Sequence, residues 1–396
     1  MKVLQVIASL SPARGGTTTA VNYLASALHL RGIKVDIAAT DDDGPDQHLH
    51  LERNSFIHLP DRRVIYFRRQ TGFYSTSLPM LAWLFRNAHR YDVIHAHGLF
   101  NFAPVAAALS AANAKRPYIL TVHGTLDSWA LKNRRPAMKR LSIRLLESRI
   151  LRGAAVVHFT SEIERLHAER LKYVYNSMVI PLGVDLSLLT KPAPLVRPKE
   201  LPDGLESRPT VLFLSRIDLK KGLDVLLNAF CKVHEKVPSA LLAIAGDGDP
   251  QFVEPLRQLA QRLRIADNVH WLGFVSGQRK SWLLQNCALF ALPSQSENFG
   301  LAVVEAMASG LPVIVSPGVA LAQLVNRYAA GAVCNPNADE LSSTLINWLS
   351  DPAKRKRAGD AGRRLAFDEM SLEAFGRRFE ELYKAVVAER DSGSAA

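Results

Sequence analysis

The feature that most constrains the fold is the alternation of short apolar runs with longer stretches of helical periodicity. In the first half of the chain the apolar runs are KVLQVIA, KVDIAAT, DVIHAHG, YILTVHG and AAVVHFTS. Helical stretches such as TTTAVNYLASALHLRG separate them. This alternation predicts a parallel sheet whose strands are joined by crossover helices.

The pattern restarts after a proline-rich segment. Residues 190–209 hold five prolines, and proline disfavours both helix interiors and central strands. The strand-like runs that follow include TVLFLSRI, ALLAIAG, NVHWLGF, CALFALPS and LPVIVS. The 396 residues are enough for two domains of ordinary size.

We therefore predict an α/β protein with two doubly wound, Rossmann-like domains. The predicted boundaries are 1–188 for the N-terminal domain, 189–209 for a linker, 210–370 for the C-terminal domain and 371–396 for a final helix. This amphipathic helix could pack back on the N-terminal domain or lie on the C-terminal one. Because open α/β sheets bind ligands beyond the carboxyl ends of their strands, we expect the domains to face each other across a cleft that holds the site.

The cysteines and the apolar runs limit the class of protein. Cys231, Cys287 and Cys334 show no C-x-x-C spacing, which indicates neither a disulfide framework nor a zinc site. The first apolar run is too short for a signal peptide, and no run approaches the length of a membrane-spanning helix. We expect a cytoplasmic protein.

Positive charge is concentrated in the first half of the chain. Of the formal net charge of +12, residues 1–190 contribute +10, with 24 Lys and Arg against 14 Asp and Glu. Such asymmetry is compatible with nucleic acid, an anionic membrane or a phosphorylated substrate. Nucleic acid is disfavoured because no recognition motif or aromatic and basic interleaving is present.

Two glutamates bracket a Phe-Gly pair in SENFGLAVVEAMASG, residues 296–310. They are Glu297 and Glu305. Alone, paired carboxylates would suggest glycoside hydrolysis by one acid and one base or nucleophile. Both carboxylates could equally accept hydrogen bonds from sugar hydroxyls without any proton transfer.

Glycines and cations follow several predicted strands. Gly15 and Gly16 precede the first helix, where backbone amides could cradle a phosphate, although a tight turn explains them equally well. The spacing is not that of a dinucleotide fingerprint. Arg216 and Lys221 in SRIDLKKG suit a pyrophosphate, and the alternative is a solvated loop. In the next turn, AGDGDP, the Asp247-x-Asp249 pair is typical of a turn rather than a metal site.

Three histidines stand at predicted strand ends: His95, His97 and His123. Neighbouring carboxylates and cysteines are poorly spaced for a metal site. We expect His123, which Gly124 follows at a strand terminus, to contact a ligand. His95 is expected to be a structural, hydrogen-bonded histidine.

Taken in order, these motifs resemble one protein family, the group 1 glycosyltransferases (family 4), which have the GT-B fold and transfer a sugar from a nucleotide diphosphate sugar with retention of configuration. The matching pieces are Gly15-Gly16, TVHG with His123, IPLGVD at 180–185, SRIDLKKG, the GDG turn, WLGF and the E-x7-E segment that runs on into EAMASGLPVIVS. They cover nearly the whole chain. One departure is Leu182, which stands where the family often has Asn.

The resemblance implies a role for each matched residue. Arg216 and Lys221 would hold the diphosphate, assisted by amides near Gly16. Glu305 would bind the ribose, Glu297 a hydroxyl of the transferred sugar, and His123 the sugar near its C6 position. Nucleotide-sugar contacts are further implied for Gly15, Gly246, Asn298, Phe299, Gly300 and Leu301, and the segment at Gly273 and Phe274 would receive the base.

The resemblance also implies a mechanism without a cofactor, a metal or a covalent nucleophile. The leaving phosphate would receive the acceptor's proton, while the protein supplies positioning and charge stabilisation. The donor would be a UDP or GDP sugar of hexose type. Rival interpretations are another GT-B enzyme, such as a sugar-nucleotide epimerase or a phosphorylase, and a non-catalytic, basic membrane-binding protein.

The basic first half would carry the acceptor. In LKNRRPAMKRLSIRLLESRILRG the Leu and Ile residues recur at helical spacing from Met138, and the segment is rich in basic residues. These are Lys132, Arg134, Arg135, Lys139, Arg140, Arg144, Arg149 and Arg152. This pattern suits either a solvated helix face or a peripheral anchor on anionic lipid. Phe73, Tyr74 and Trp83 could form a second contact or a core helix. We expect a lipid-linked saccharide acceptor in cell-surface polysaccharide synthesis.

Overall fold

The computed structural model divides into two compact units. They are Met1–Gly183 with Leu372–Ala396, and Val184–Ser371. The structure describes residues 1–12, 15–44, 46–126, 131, 136–173, 176–187, 189 and 197–393. The first division falls inside the IPLGVD segment, so residues 184–209, where we expected the end of a domain and a linker, are counted with the second unit. Of the proline-rich segment, residues 190–196 lie outside the described residues.

The first unit is built on an eight-stranded sheet with the order β3-β4-β2-β1-β5-β6-β7-β8. Its strands are β1 Lys2–Ser9, β2 Lys34–Thr40, β3 Phe56–His58, β4 Arg63–Phe67, β5 Val93–His97, β6 Tyr118–Thr121, β7 Val156–Phe159 and β8 Ser177–Val179. All neighbours are parallel except β3 and β4. Because β2 and β5 lie on opposite sides of β1, the strand order reverses there, and ligands bind open sheets at such a point.

Helices cover both faces of this sheet. They are α1 Gly16–Leu30, α2 Leu78–Asn87, α3 Phe102–Asn113, α4 Pro136–Ser142, α5 Ser148–Gly153 and α6 Glu162–Glu169, with a 3-10 turn at Ala88–Arg90 and a π-helical turn, Ile143–Glu147, between α4 and α5. Side chains of Ser77, Asn101 and Ser161 cap α2, α3 and α6 by accepting from backbone amides. Capping satisfies amide groups that have no intrahelical partner and so sets where each helix begins.

The second unit repeats the plan with six parallel strands in the order β11-β10-β9-β12-β13-β14. Its strands are β9 Thr210–Leu214, β10 Leu241–Ala245, β11 Val269–Gly273, β12 Leu289–Leu292, β13 Val313–Val315 and β14 Gly331–Val333. Strand order reverses between β9 and β12. Nearly every residue of β9, β10 and β12 is buried, as expected for strands covered on both faces.

The helices of the second unit follow its strands. They are α7 Leu223–Lys236, α8 Pro250–Arg262, α9 Gly277–Asn286, α10 Leu301–Ala308, α11 Ala322–Arg327, α12 Ala338–Leu349 and α13 Pro352–Met370, with 3-10 turns at Leu219–Lys221 and Ala266–Asn268. The predicted α/β architecture of two Rossmann-like sheets is therefore confirmed.

The final helix, α14 Leu372–Gly393, belongs to the first unit, where it lies on α1. Close approach depends on Gly376, since a Cβ there would overlap the carbonyl oxygen of Ala27. Arg31 Nε donates to Glu380 Oε2 at 2.6 Å at the edge of this contact. Of the two positions that the sequence left open for this helix, the structure has the one on the first unit.

We predict that Gly376→Ala destabilises the protein. In an unobstructed helix interior this change stabilises by about 1 kcal/mol, but here the added methyl group must displace α14 or α1, at a cost of roughly 1–3 kcal/mol. Urea unfolding measures the stability, and hydrogen exchange of α1 and α14 locates the change. Ala385→Gly on the exposed face of α14 is the control: it should weaken α14 and leave the exchange of α1 unchanged. A Gly376→Ala protein as stable as the wild type would contradict the prediction.

Candidate functional site

Lys221 and Glu297 meet at the carboxyl edge of the second sheet. After β9 the chain passes Arg216, which is exposed, and enters the 3-10 turn that ends at Lys221. Lys221 is only 6% exposed, and its Nζ forms an ion pair with the Glu297 carboxylate. Two elements that lie 76 residues apart in the chain are thus joined by opposite charges.

Gly222 makes this meeting possible. Its backbone is left-handed, with φ 67° and ψ 29°, which side chains rarely tolerate. A Cβ at this position would also overlap the carbonyl oxygen of Pro293, which directly follows β12. The glycine therefore lets the turn that carries Lys221 lie against the end of β12, on the approach to Glu297.

Glu305 has a different cationic partner, which the sequence did not indicate. It is buried on α10, and Lys280 of α9 donates from Nζ to its Oε1 at 2.5 Å. No motif marks Lys280, because only the packing of α9 beside α10 brings the two side chains together. The two glutamates of E-x7-E are thus each held by a separate lysine.

The loop before α10 is fixed by its backbone. Glu297 N donates to Gly318 O at 2.9 Å, and Ala320 N donates to Glu297 O at 3.0 Å. Phe299 is buried, and Gly300 has φ 91° as α10 begins at Leu301. The first amides of a helix have no intrahelical acceptor. Leu301 is the first residue of α10, and Asn298, Phe299 and Gly300 directly precede it, so all four lie at a helix end where an anion or a sugar oxygen could be bound.

A cavity of about 260 Å³ lies beside the turns that follow β10 and β11. Its lining includes Ile217, Gly246, Asp247, Arg257, Trp271 and Gly273. A Cβ at Gly246 would overlap the carbonyl oxygen of Ser215, so glycine is needed for this close approach. The Arg257 guanidinium lies 4.7 Å from the centroid of the Trp271 ring. Phe274, which follows β11, is 70% exposed, so the region expected to receive the base offers both a concave wall and an exposed ring.

The Asp-x-Asp pair next to this cavity serves the turn. Asp249 caps α8 by accepting from Gln251 N at 2.9 Å. Within the described ranges, no group of three or more His, Cys, Asp and Glu side chains has an arrangement that could hold a metal ion.

Gly15 and Gly16 lie in the first unit, where β1 leads into α1. In the second unit the turn that carries Lys221 has the same place, between β9 and α7. Gly15 has φ 66°, and no side chain caps the helix. A Cβ on either glycine would meet nothing within 4 Å, so both backbones border open space. Thr18 Oγ1 anchors the turn by donating to Ser11 O at 2.9 Å. Residues 13 and 14, the second of them Arg14, lie outside the described residues.

Four histidines of the first unit form a connected cluster. His95 is bonded to Tyr383 Oη and Thr121 Oγ1, both at 2.7 Å, which confirms it as a structural, hydrogen-bonded residue. Thr121 also lies 2.8 Å from His158 Nδ1. His97 Nδ1 lies 3.1 Å from His123 Nε2. The sequence indicated neither His158 nor Tyr383, because they come from β7 and from α14.

Burial keeps these imidazoles neutral. It lowers the pKa of His123 to about 3 and that of His158 to about 4. The pKa values of His95 and His97 fall well below the ordinary value for the same reason, and neighbouring histidines lower them further. A neutral His123 offers one donor and one acceptor nitrogen, so it can bind a hydroxyl group without carrying charge.

The helical segment that carries the basic residues is anchored by a buried carboxylate. Glu147, in the π-helical turn, accepts from Tyr74 Oη at 2.5 Å, Ser142 Oγ at 3.0 Å and Phe100 N at 3.2 Å. Burial raises the pKa of Glu147. Tyr74 is therefore bound inside the first unit, and Trp83 packs against Phe67, with ring centroids 5.7 Å apart. Only Phe73 of the three aromatic residues considered as a second membrane contact is largely exposed.

The outer side of this segment combines apolar and basic side chains. We call it the basic face and define it by Met138, Arg140, Leu141, Arg144, Leu145 and Arg149, all exposed. Leu141 is 58% exposed and Leu145 49%. Lys132, Arg134 and Arg135 lie outside the described residues. No helix in the described part of the chain is long and apolar enough to cross a membrane.

Two family models match the two units in turn. Residues 15–183 match the glycosyl transferase 4-like domain, and residues 200–365 match glycosyl transferases group 1. The chain belongs to the group 1 glycosyltransferases. The resemblance inferred from the motifs is thereby confirmed, and the motifs that supported it lie within this glycosyltransferase's matched residues, except that IPLGVD at 180–185 extends two residues beyond the first match.

Relatives and solved structures agree with this assignment. This glycosyltransferase is 27% identical over 382 residues to the alpha-monoglucosyldiacylglycerol synthase of Streptococcus pneumoniae, with 94% of this chain and 83% of that protein covered. It is 27% identical over 295 residues to a GDP-mannose-dependent phosphatidylinositol monomannoside mannosyltransferase of Mycolicibacterium smegmatis, covering 71% and 74% of the two chains. The structure of Anabaena HepE with UDP and glucose superposes with a TM-score of 0.75 at 22% identity, over 97% of this chain and all of that one. The chain therefore has the GT-B fold.

We predict that acid selectively loosens the strands that carry the histidine cluster. A histidine whose pKa is lower in the folded than in the unfolded state favours folding fully above pH 6.5, and this contribution is lost as the pH falls from there towards the folded value. The loss is up to about 1.4 kcal/mol per pH unit for each histidine. Hydrogen exchange at pH 7 and pH 5, corrected for intrinsic rates, should show lower protection in β5, β6 and β7. The internal control is β12 and β13, which contain no histidine. Equal changes in both sets of strands would contradict the prediction.

Proposed function

We propose that this protein transfers a hexose from a nucleotide diphosphate sugar to a lipid-linked saccharide, with retention and without a metal ion. The observation that carries the proposal is the buried Lys221 beside Glu297 at the carboxyl edge of β9, with Arg216 five residues before Lys221 on the chain. Cations at a strand's carboxyl end suit a diphosphate whose negative charge grows as it leaves. They would supply the charge that a metal ion supplies in other transferases.

The remaining contacts follow the two glutamates. Glu297 would accept a hydrogen bond from a hydroxyl of the transferred sugar. Glu305, oriented by Lys280, would accept hydrogen bonds from the ribose hydroxyls. The cavity beside Gly246 and Gly273 would receive the base. Its lining of backbone and mixed side chains is compatible with either uracil or guanine. The relatives are divided in the same way, since HepE was solved with UDP and the mycobacterial relative is named as GDP-mannose-dependent.

Retention needs the acceptor hydroxyl to attack from the side that the phosphate leaves. The Glu297 carboxylate contacts one of the diphosphate-binding cations, as it is ion-paired with Lys221. We therefore assign no covalent nucleophile and no general base to this site. The leaving phosphate would take the acceptor's proton, and the protein would contribute orientation and charge stabilisation.

The basic face supports a lipid-linked acceptor in cell-surface polysaccharide synthesis. Leu141 and Leu145 are exposed beside Arg140 and Arg144, the combination by which a helix lies in an anionic membrane interface. Each basic residue near such a surface contributes about 1 kcal/mol. The names of the pneumococcal and mycobacterial relatives also refer to lipids. We infer reversible attachment to the inner face of the cytoplasmic membrane.

The donor site is tested by Lys221→Met, which keeps the buried apolar stem and removes the charge. We expect a fall in nucleotide diphosphate affinity of about tenfold to a hundredfold, since hydrogen bonds to charged groups contribute about 1.5–3 kcal/mol. A thermal-shift screen with UDP, GDP and ADP identifies the nucleotide, and isothermal titration calorimetry measures its affinity. Lys232→Met, at an exposed lysine paired with Asp339, is the matched control. Unchanged nucleotide affinity and unchanged turnover in Lys221→Met would refute the proposed site.

Membrane attachment is tested by the double variant Leu141→Ser with Leu145→Ser. The wild type should float with vesicles that contain phosphatidylglycerol and remain behind with vesicles of phosphatidylcholine alone, because arginines bind the anionic lipid. The double variant should lose most of this recovery. Leu109→Ser with Leu166→Ser changes two exposed leucines elsewhere on the first unit and should float like the wild type. Equal recovery of the wild type with both kinds of vesicle would rule out attachment through the anionic lipid.

A further inference from the structure

His97 has no assigned role, yet it lies between the structural His95 and the candidate ligand contact His123. Its ring stacks on His95 with centroids 4.3 Å apart, and on His123 with centroids 5.3 Å apart. It is 2% exposed. Its Nδ1 faces His123 Nε2, whereas its Nε2 is buried without a hydrogen-bond partner among the described residues. Among the described residues, the His97 ring thus has one hydrogen-bond partner, His123.

The neighbouring hydrogen bonds have one possible direction. His158 Nε2 lies 2.8 Å from Ile180 O, and a carbonyl can only accept, so this nitrogen carries the proton. A neutral His158 then accepts at Nδ1 from the Thr121 hydroxyl. The Thr121 hydroxyl donates its single proton to His158, so its oxygen must accept from His95 Nε2–H. His95 Nδ1 then carries no proton and accepts from the Tyr383 hydroxyl. The donor of each hydrogen bond in the series from Tyr383 to Ile180 is therefore assigned.

The same count of protons decides which of His97 and His123 donates the hydrogen bond between them. One proton lies between His97 Nδ1 and His123 Nε2, since both rings are neutral. If His123 donated it, His97 would carry its own proton on Nε2, as a buried N–H without an acceptor among the described residues. If His97 donates it, only a lone pair of His97 is left unpaired. Buried donors without partners are rarer in proteins than acceptors with spare lone pairs, which favours donation by His97.

We propose that His97 is a positioning residue that holds His123 in the tautomer with its proton on Nδ1. His123 then presents an N–H donor from a ring that is held by stacking and by the left-handed backbone at φ 52°. Which nitrogen of a histidine is protonated depends on the hydrogen bond that the other one makes. That the donor meets the transferred sugar near C6 rests on the proposed function, whereas the tautomer itself does not.

Nitrogen NMR of the full-length protein labelled with ¹⁵N-histidine reads the tautomer without any substrate. We expect His123, assigned by the signal that disappears in His123→Gln, to show a protonated Nδ1 and an unprotonated Nε2. In His97→Asp a carboxylate oxygen, which can only accept, stands where the imidazole Nδ1–H stood, so His123 should become protonated on Nε2. In His97→Asn the amide N–H stands where the imidazole Nδ1–H stood, and the tautomer should stay as in the wild type. Unchanged signals of His95 and His158 report that the cluster is intact.

A wild-type His123 protonated on Nε2 would overturn the proposal without the use of any variant, and so would a His123 that stays unprotonated on Nε2 in His97→Asp. Kinetics then separate positioning from mere stability. With UDP-glucose or GDP-mannose, whichever the wild type turns over, kcat/KM should fall about tenfold in His97→Leu and recover in His97→Asn, as expected for one lost hydrogen bond. Equal losses in the two variants would overturn the positioning role. If neither sugar nucleotide is turned over by the wild type, the proposed function fails, and the NMR result still decides the tautomer.

Discussion

Parallel strands that lie side by side have their carboxyl ends on the same edge of the sheet. Both units of this protein are arranged around that constraint. In the two sheets that the described residues form, every pair of neighbouring strands but one is parallel. The turns after β9, β10 and β11 therefore lie side by side, as do those after β1, β5 and β6. Because strand order reverses at β1 and at β9, each edge has a point where the turns diverge and leave space for a ligand.

The two edges bind polar groups by different physical means. In the second unit, opposite charges meet: Lys221 with Glu297, and Lys280 with Glu305. In the first unit, burial suppresses charge, and neutral histidines bind one another through directed hydrogen bonds. Fixed cations suit a diphosphate, which brings two or more negative charges. Neutral donors and acceptors suit hydroxyl groups, which bring none. The charged edge therefore suits the diphosphate of the proposed donor and leaves Glu297 and Glu305 to accept hydrogen bonds from hydroxyl groups, whereas the neutral histidines suit hydroxyl groups alone.

Sequence reasoning succeeded where a motif lies within one strand and its following turn. Arg216, Lys221 and Gly246 could be placed at strand ends because the apolar run before each of them ends visibly in the sequence. It missed residues whose partners come from another element. Lys280 looks like an ordinary helical lysine until α9 packs beside α10, and Tyr383 looks like one more apolar position of α14. Trp83 illustrates the converse, since an amphipathic pattern does not reveal whether an aromatic ring faces lipid or the neighbouring strands.

The order of apolar runs, glycines and cations was sufficient to establish two doubly wound sheets and a glycosyltransferase family, because strand periodicity and turn glycines are local properties. Which cation neutralises which carboxylate, and which nitrogen of each histidine carries its proton, depended on distances between elements far apart in the chain. Those distances arise from helix packing and from glycines such as Gly222 and Gly376, which allow close backbone approach. The family was therefore readable from the chain, whereas the pairing of charges and protons required the folded structure.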